Sequence, residues 1–213
     1  MKNSVKNIDI LCVGEVLVDF IGHQTEVLIN NTRDYHRYLG GSPANVAMNS
    51  ARLGLKSVMV ATVGDDGFGE YIFKRLKEVG VNTNYIETIK GKPTSVIFVS
   101  KTDSTPDFIP FRKADSSILE DQISSNLLSN TKIYHTTCFA LSKDPAQTTI
   151  LKKAEEAFNL GCKLSIDVNY AKKLWASQEE ALKVIKSYCK FNPLVKISED
   201  DMLRLFEKEL PHE

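Results

Sequence analysis

The chain has 213 residues, 42% of them hydrophobic and 25% charged, and its 27 Lys plus Arg balance 27 Asp plus Glu. That balance describes an ordinary globular domain and excludes a disordered, collagenous or coiled-coil chain. A neutral chain without a basic stripe lacks the footprint of a nucleic-acid binder. Asp9, Glu15 and Asp19 interrupt the first apolar stretch too often for a signal peptide or a membrane span, so a cytoplasmic location without a membrane partner is expected.

Ile8 to Val13 is a short apolar run ending at Gly14, and Ser57 to Val63 is another ending at Gly64; both read as buried strands. Between them Pro43 to Leu53 reads as a helix, with Ser42 as its N-cap and Gly54 as its stop. Phe68, Ile72, Leu76 and Val79 recur at helical spacing after Asp65 and Asp66 and before Gly80. The second half repeats this grammar. Lys132 to Cys138, Lys163 to Val168 and Leu194 to Ile197 read as strands, and Pro145 to Leu160, Ser177 to Cys189 and Glu199 to Glu209 as helices. Strands alternating with amphipathic helices predict an α/β, doubly wound fold with a mainly parallel sheet and helices on both faces.

Two groups of strand-like segments break the alternation: Val16 to Ile21, Glu26 to Ile29 and Tyr35 to Leu39, then Thr94 to Lys101 and Asp107 to Arg112. Without crossovers they cannot join the parallel sheet, so they are expected to pair as a small antiparallel β flap that could cover a ligand crevice. Lys90 to Pro93 reads as a turn. Cys12, Cys138, Cys162 and Cys189 show no C-x-x-C spacing and read as reduced, mostly core residues. His135 reads as a core or edge residue within a strand, and His23, His36 and His212 as surface residues.

Among candidate site residues, Gly40 and Gly41 allow a sharp turn and close backbone approach, and the helix after them points free N–H groups back at that space. Asn45 adds an amide in the first turn, a combination suited to hydroxyl recognition. Asp19 ends an apolar segment, where a carboxylate can accept from two neighbouring sugar hydroxyls or can simply be a solvated strand end. Glu15 stands between the same two readings. Gly64 to Gly69 has the wrong order for a dinucleotide turn, and Asp65 and Asp66 would repel a pyrophosphate, so they read as helix caps. Arg112 is placed to reach an oxygen-rich substrate or to lie exposed. Asn169 could bind substrate or phosphate oxygens. Lys196 could approach phosphate, and Asp201 could hold Mg²⁺ through water or serve, with Ser198, as a helix cap.

G-E-V-L-V-D-F, G-G-S-P-A-N-V-A-M-N-S-A-R-L-G, V-A-T-V-G-D-D-G-F-G and G-V-N-T follow one another in the order and spacing of the N-terminal half of the ribokinase-like carbohydrate kinases. The chain resembles their fructokinase and 2-keto-3-deoxygluconate kinase branch, and the resemblance continues through I-P-F-R-K-A-D, D-V-N-Y and K-I-S-E-D-D-M. It implies one Rossmann-like domain over residues 1–213 with discontinuous β-lid segments near 16–39 and 92–112, and ATP- and Mg²⁺-dependent phosphorylation of a sugar hydroxyl. It implies further that Asp19, Gly40, Gly41, Asn45 and Arg112 bind substrate, that Asn169 and Lys196 lie near the phosphates, and that Asp201 occupies an acidic position near the metal. Ala171 stands where that branch often has arginine, which counts against an acid sugar, and Ser198 replaces the asparagine of N-x-x-E. The D-T-x-G-A-G-D run that would carry the catalytic base and anion hole does not occur among the 213 residues. On this resemblance the chain reads as truncated, with the C-terminal part of the fold absent and little activity of its own. The alternative is a noncatalytic sugar-binding or regulatory protein, and the exposed flap offers a surface for a homodimer.

Overall fold

The computed structural model describes residues 6–102 and 107–206; His212 and the helical stretch expected beyond residue 206 lie outside them. Six strands form the main sheet: β1 (Ile8–Val13), β4 (Ser57–Gly64), β5 (Asn82–Ile89), β8 (Thr131–Thr137), β9 (Lys163–Asp167) and β10 (Leu194–Lys196). Every neighbouring pair is parallel, in the order β10-β9-β8-β1-β4-β5. The chain starts in the middle, moves outward to β4 and β5, then returns to the other side of β1 for β8, β9 and β10. Its direction therefore reverses between β1 and β8, and in open parallel sheets such a reversal leaves a crevice at the carboxyl ends of the strands.

Alternation along each strand sends side chains to two cores. Ile10 and Cys12 join Met59, Ala61 and Val63 against Ala44, Ala47, Ile72 and Leu76, which belong to α1 (Ser42–Arg52) and α2 (Gly67–Glu78). Leu11 and Val13 join Tyr134, Leu164 and Ile166 against α3 (Ser125–Ser129), α4 (Ala146–Asn159) and α5 (Gln178–Cys189). Strands buried on both faces explain the unbroken apolar runs in the sequence: all of β4 is buried. The last helix is α6 (Glu199–Phe206). Three of the four cysteines are buried, Cys189 is half-buried, and all four are free thiols. No helix among the described residues is long and apolar enough to cross a membrane.

A second, four-stranded sheet contains β2 (Leu17–Thr25), β3 (Tyr35–Gly40), β6 (Val96–Lys101) and β7 (Phe108–Phe111), in the order β3-β2-β6-β7. The pairs β2/β3 and β6/β7 are antiparallel and meet along a parallel β2/β6 seam. The seam is parallel because α1, β4, α2 and β5 intervene between those two strands. Glu26 to Ile29, expected as a strand, is not one: Glu26 has φ 57°, Leu28 is exposed, and Ile29–Asn31 is a single 3-10 turn. Strand β5 and the short α3 had no counterpart in the sequence reading.

Candidate functional site

Gly14, Glu15 and Val16 connect β1 in the core to β2 in the lid, directly at the switch point. Glu15 is only 2% exposed. Its Oε1 accepts the Ser42 N–H at 3.0 Å and its Oε2 accepts the Thr137 hydroxyl at 2.7 Å. Burial pushes its carboxyl up to about 7, against those hydrogen bonds and the nearby Arg112 charge. The Ser42 hydroxyl, expected to cap α1, instead donates to Asp167 Oδ2 at 2.8 Å, and Gly41, at φ 102°, is the N-cap with no side-chain bond. Asp167 ends β9, and its Oδ1 lies 3.0 Å from Lys196 Nζ at the end of β10. One polar chain thus crosses the carboxyl ends of β8, β1, β9 and β10.

Beside it, the lid covers a cavity of about 250 Å³ lined by Asp19, Ile97, Val99, Phe108, Phe139 and Asn169, together with Ala171 and Arg204. Asp19 projects from β2 over Gly40, which leaves it room: a Cβ on Gly40 would fall 2.3 Å from Asp19 Oδ2. Gly41 is needed for a different reason, since a Cβ there would meet the Glu15 carbonyl oxygen at 2.4 Å. Among the described residues nothing donates a hydrogen bond to Asp19, and burial raises its carboxyl to about 6. Asn169, at φ 30° just after β9, lines the same cavity.

The remaining residues singled out in the sequence fall around this cavity in different ways. Asn45 is exposed on the first turn of α1, where its N–H binds the Gly41 carbonyl at 3.0 Å. Arg112, expected to face substrate, is turned into the core instead. Its guanidinium pairs with Asp115 at 2.6 Å, donates to Ser142 at 2.5 Å and stacks 4.2 Å from the centroid of the Phe139 ring, and Phe139 lines the cavity. Lys196 is exposed and also lies 3.9 Å from Asp201. Asp201 is buried, with Oδ1 accepting the Tyr170 N–H and Oδ2 accepting both the N–H and the hydroxyl of Ser198, so it joins α6 to the loop after β9. His135 is buried, with Nδ1 3.0 Å from Ser165 Oγ and Nε2 without a partner; burial lowers its pKa to about 4, which keeps the ring neutral. His23 and His36 are exposed on the lid, as expected. Asp167, Phe139 and Arg204 were missed as site residues because the residues that share the polar chain or the cavity with them, Ser42 and Asp19, are distant in sequence.

The profile of the pfkB family carbohydrate kinases matches residues 7–213. The chain belongs to that family. This pfkB chain is 35% identical over 207 residues to an ATP-dependent 6-phosphofructokinase of Thermoanaerobacterium thermosaccharolyticum, covering 97% of this chain and 63% of that protein. It is 32% identical to probable fructokinase-7 of Arabidopsis thaliana, covering 96% and 60%. The chain therefore spans about three fifths of the length of these curated relatives. Among solved structures it superposes on a fructokinase of Halothermothrix orenii with TM-score 0.86 at 33% identity, covering 96% of this chain and 73% of that one. It superposes equally on a Pyrococcus horikoshii sugar kinase in complex with ATP, with TM-score 0.86 at 30% identity, covering 93% and 66%. The mainly parallel sheet with its four-stranded lid is thus the ribokinase-like fold expected from the sequence.

Proposed function

We propose that these residues form the sugar-binding and phosphate-facing part of a fructokinase-like enzyme that phosphorylates a sugar hydroxyl from ATP. The observation that carries the reading is Asp19: a desolvated carboxylate without a donor among the described residues, facing a cavity of sugar size at the switch point of the sheet. Such a group accepts from two adjacent hydroxyls, and a bound sugar satisfies what the fold leaves unsatisfied. Gly40 and Gly41 hold the Asp19 carboxylate and the start of α1 in register, and Asn169 supplies a second polar group to the cavity; Asn45, exposed on the first turn of α1, does not line it and would meet the sugar only by turning toward it. Arg112 contributes by fixing Phe139 against the sugar.

A neutral sugar suits this cavity better than a sugar phosphate. Its ionisable lining offers Asp19, and Arg204 is already paired with Asp200 at 2.9 Å. On the phosphate side, Asp167 Oδ1 is buried without a hydrogen bond and held by Lys196 Nζ alone. Lys196 is exposed, and in turning toward ATP oxygens it would exchange its pairing with Asp167 for one with phosphate, while Asn169 lines the sugar cavity. Mg²⁺ would supply charge neutralisation for the transferring phosphate, and Asp201, its oxygens already engaged three times, would meet it through water. The catalytic base and anion hole belong to a motif that these 213 residues do not contain, so binding is expected to exceed turnover. A cytoplasmic protein that dimerises through the lid fits the same reading, since β7 leaves Ile109 and Phe111 exposed.

Calorimetry with fructose and with fructose 6-phosphate, alongside an assay of sugar-dependent ADP release, tests this. Saturable fructose binding with weak or no binding of the phosphate ester is expected, with little ADP release. Preference for the ester would overturn the neutral-sugar reading, brisk turnover would show that the base lies within the chain, and binding of neither sugar would remove the sugar site.

A further inference from the structure

A buried carboxylate is costly, and a neutral side chain would fill the space of Glu15 without that cost. Glu15 does not line the cavity, so contact with a ligand does not account for it. What it does touch is informative. Its two oxygens bind different elements, the first N–H of α1 and the hydroxyl at the end of β8. Its main-chain carbonyl is the atom against which Gly41 packs. Thr137 Oγ also accepts the Ala140 N–H at 3.1 Å, and that turn carries Phe139, the cavity wall. From Ser42 the contacts run on to Asp167 and Lys196.

We infer that Glu15 is a positioning residue, a latch that pins the first turn of α1 to the end of β8 and so sets Gly41 and Asn45 in a fixed relation to Asp19 on one side and to Asp167 and Lys196 on the other. The Ser42 N–H is among the helix N-terminal donors that no intrahelical acceptor can satisfy, so among the described residues its anchor is this side chain. The consequence for ligand affinity rests on the sugar-site reading above, whereas the latch does not.

The test uses the whole chain with Glu15→Ala, Glu15→Gln and Thr137→Val, and two measurements. Amide hydrogen exchange reports the latch, and fructose calorimetry reports its effect. Glu15→Ala should speed exchange at Ser42 and its first-turn neighbours by about tenfold and weaken fructose by a similar factor, leaving β4 and α2 protected as before. Glu15→Gln keeps an oxygen acceptor for Ser42 and should stay within about threefold of wild type in both, with Thr137→Val between the two. Unchanged exchange at Ser42 in Glu15→Ala, or Glu15→Gln as damaging as Glu15→Ala, would overturn the inference. If Glu15→Ala does not fold, the same comparison is made between Thr137→Val and Glu15→Gln, and equal, unperturbed exchange at Ser42 in both would overturn it. Should wild type bind no fructose, the sugar reading fails while the exchange data still decide the latch.

Discussion

Strands β1 and β4 lie side by side and each runs into a glycine followed by acids, Gly14-Glu15 leading on to Asp19 in one case and Gly64-Asp65-Asp66 in the other. Glu15 is bonded into the fold, but Asp19, two residues into β2, and Asp66 are treated in opposite ways. Some desolvation works upward on Asp66, but its oxygens accept the N–H groups of Phe68, Gly69 and Thr94 and the Thr94 hydroxyl, and together these hold its carboxyl below the usual range. Asp19 is more deeply placed, has no donor among the described residues, and is raised to about 6. The turn after β4 spends its acid on the fold, as a helix cap and a clip on the following loop. Strand β2, beyond the turn after β1, keeps the Asp19 carboxylate without a hydrogen bond among the described residues beside a cavity. A carboxylate that the protein has not satisfied is the one available to a ligand.

The contrast is broken most directly by removing each acid in turn. Asp66→Ala should lower unfolding free energy by about 3 kcal/mol, since a cap and two further hydrogen bonds go together, while leaving fructose affinity unchanged. Urea denaturation measures this, and a loss under about 0.5 kcal/mol would mean that the turn after β4 does not depend on its acid. Asp19→Ala should do the reverse. Fructose binding is expected to weaken by about 1 to 3 kcal/mol through unpaired hydroxyls, with stability lowered by no more than about 0.5 kcal/mol. Equal affinity in calorimetry would move Asp19 to the structural side of the comparison.

Much of this contrast was visible before the structure, and the invisible part has a physical pattern. The core strands were readable because strands buried on both faces are continuous apolar runs between turns. Asp66 was readable as a cap because capping is local, two or three residues from its acceptor. Strand β5 was not, because it lies at the sheet edge and alternates exposed Asn82, Asn84 and Glu87 with buried Thr83 and Ile86. Glu26 to Ile29 failed for the opposite reason: its apolar residues suggested a strand, but they lie where the chain turns back toward β3. Ser42 looked like a cap, and only tertiary folding reveals Asp167, 125 residues away, as its acceptor. Arg112 was placed correctly at the lid's end and wrongly oriented, because Asp115 and Ser142 compete for it within the core. Positions of acids and glycines are sequence properties; which of them are satisfied is a property of the fold.

The smallest expected effect also separates the two turns most cleanly. Asp19 has a folded pKa near 6 against 3.8 for the unfolded chain, so between those values the native state holds a proton that the unfolded state has released. Stability from this group is full below pH 3.8 and is lost as pH rises through about 6. Glu15 acts in the same direction between 4.5 and about 7. His135, lowered from 6.5 to about 4, acts in the opposite direction, so the slope of the wild-type curve alone says little. The difference between variant and wild type removes both. Asp19→Asn should gain about 1 kcal/mol on wild type as pH goes from 4 to 7, because the variant has no charge to bury. Asp66→Asn should show no such trend in that window, since the depressed pKa of Asp66 confines its contribution to change below 3.8, where stability falls as its carboxylate is protonated. Denaturation curves at several pH values decide it, and parallel curves for Asp19→Asn and wild type would show that the Asp19 carboxylate is solvated after all.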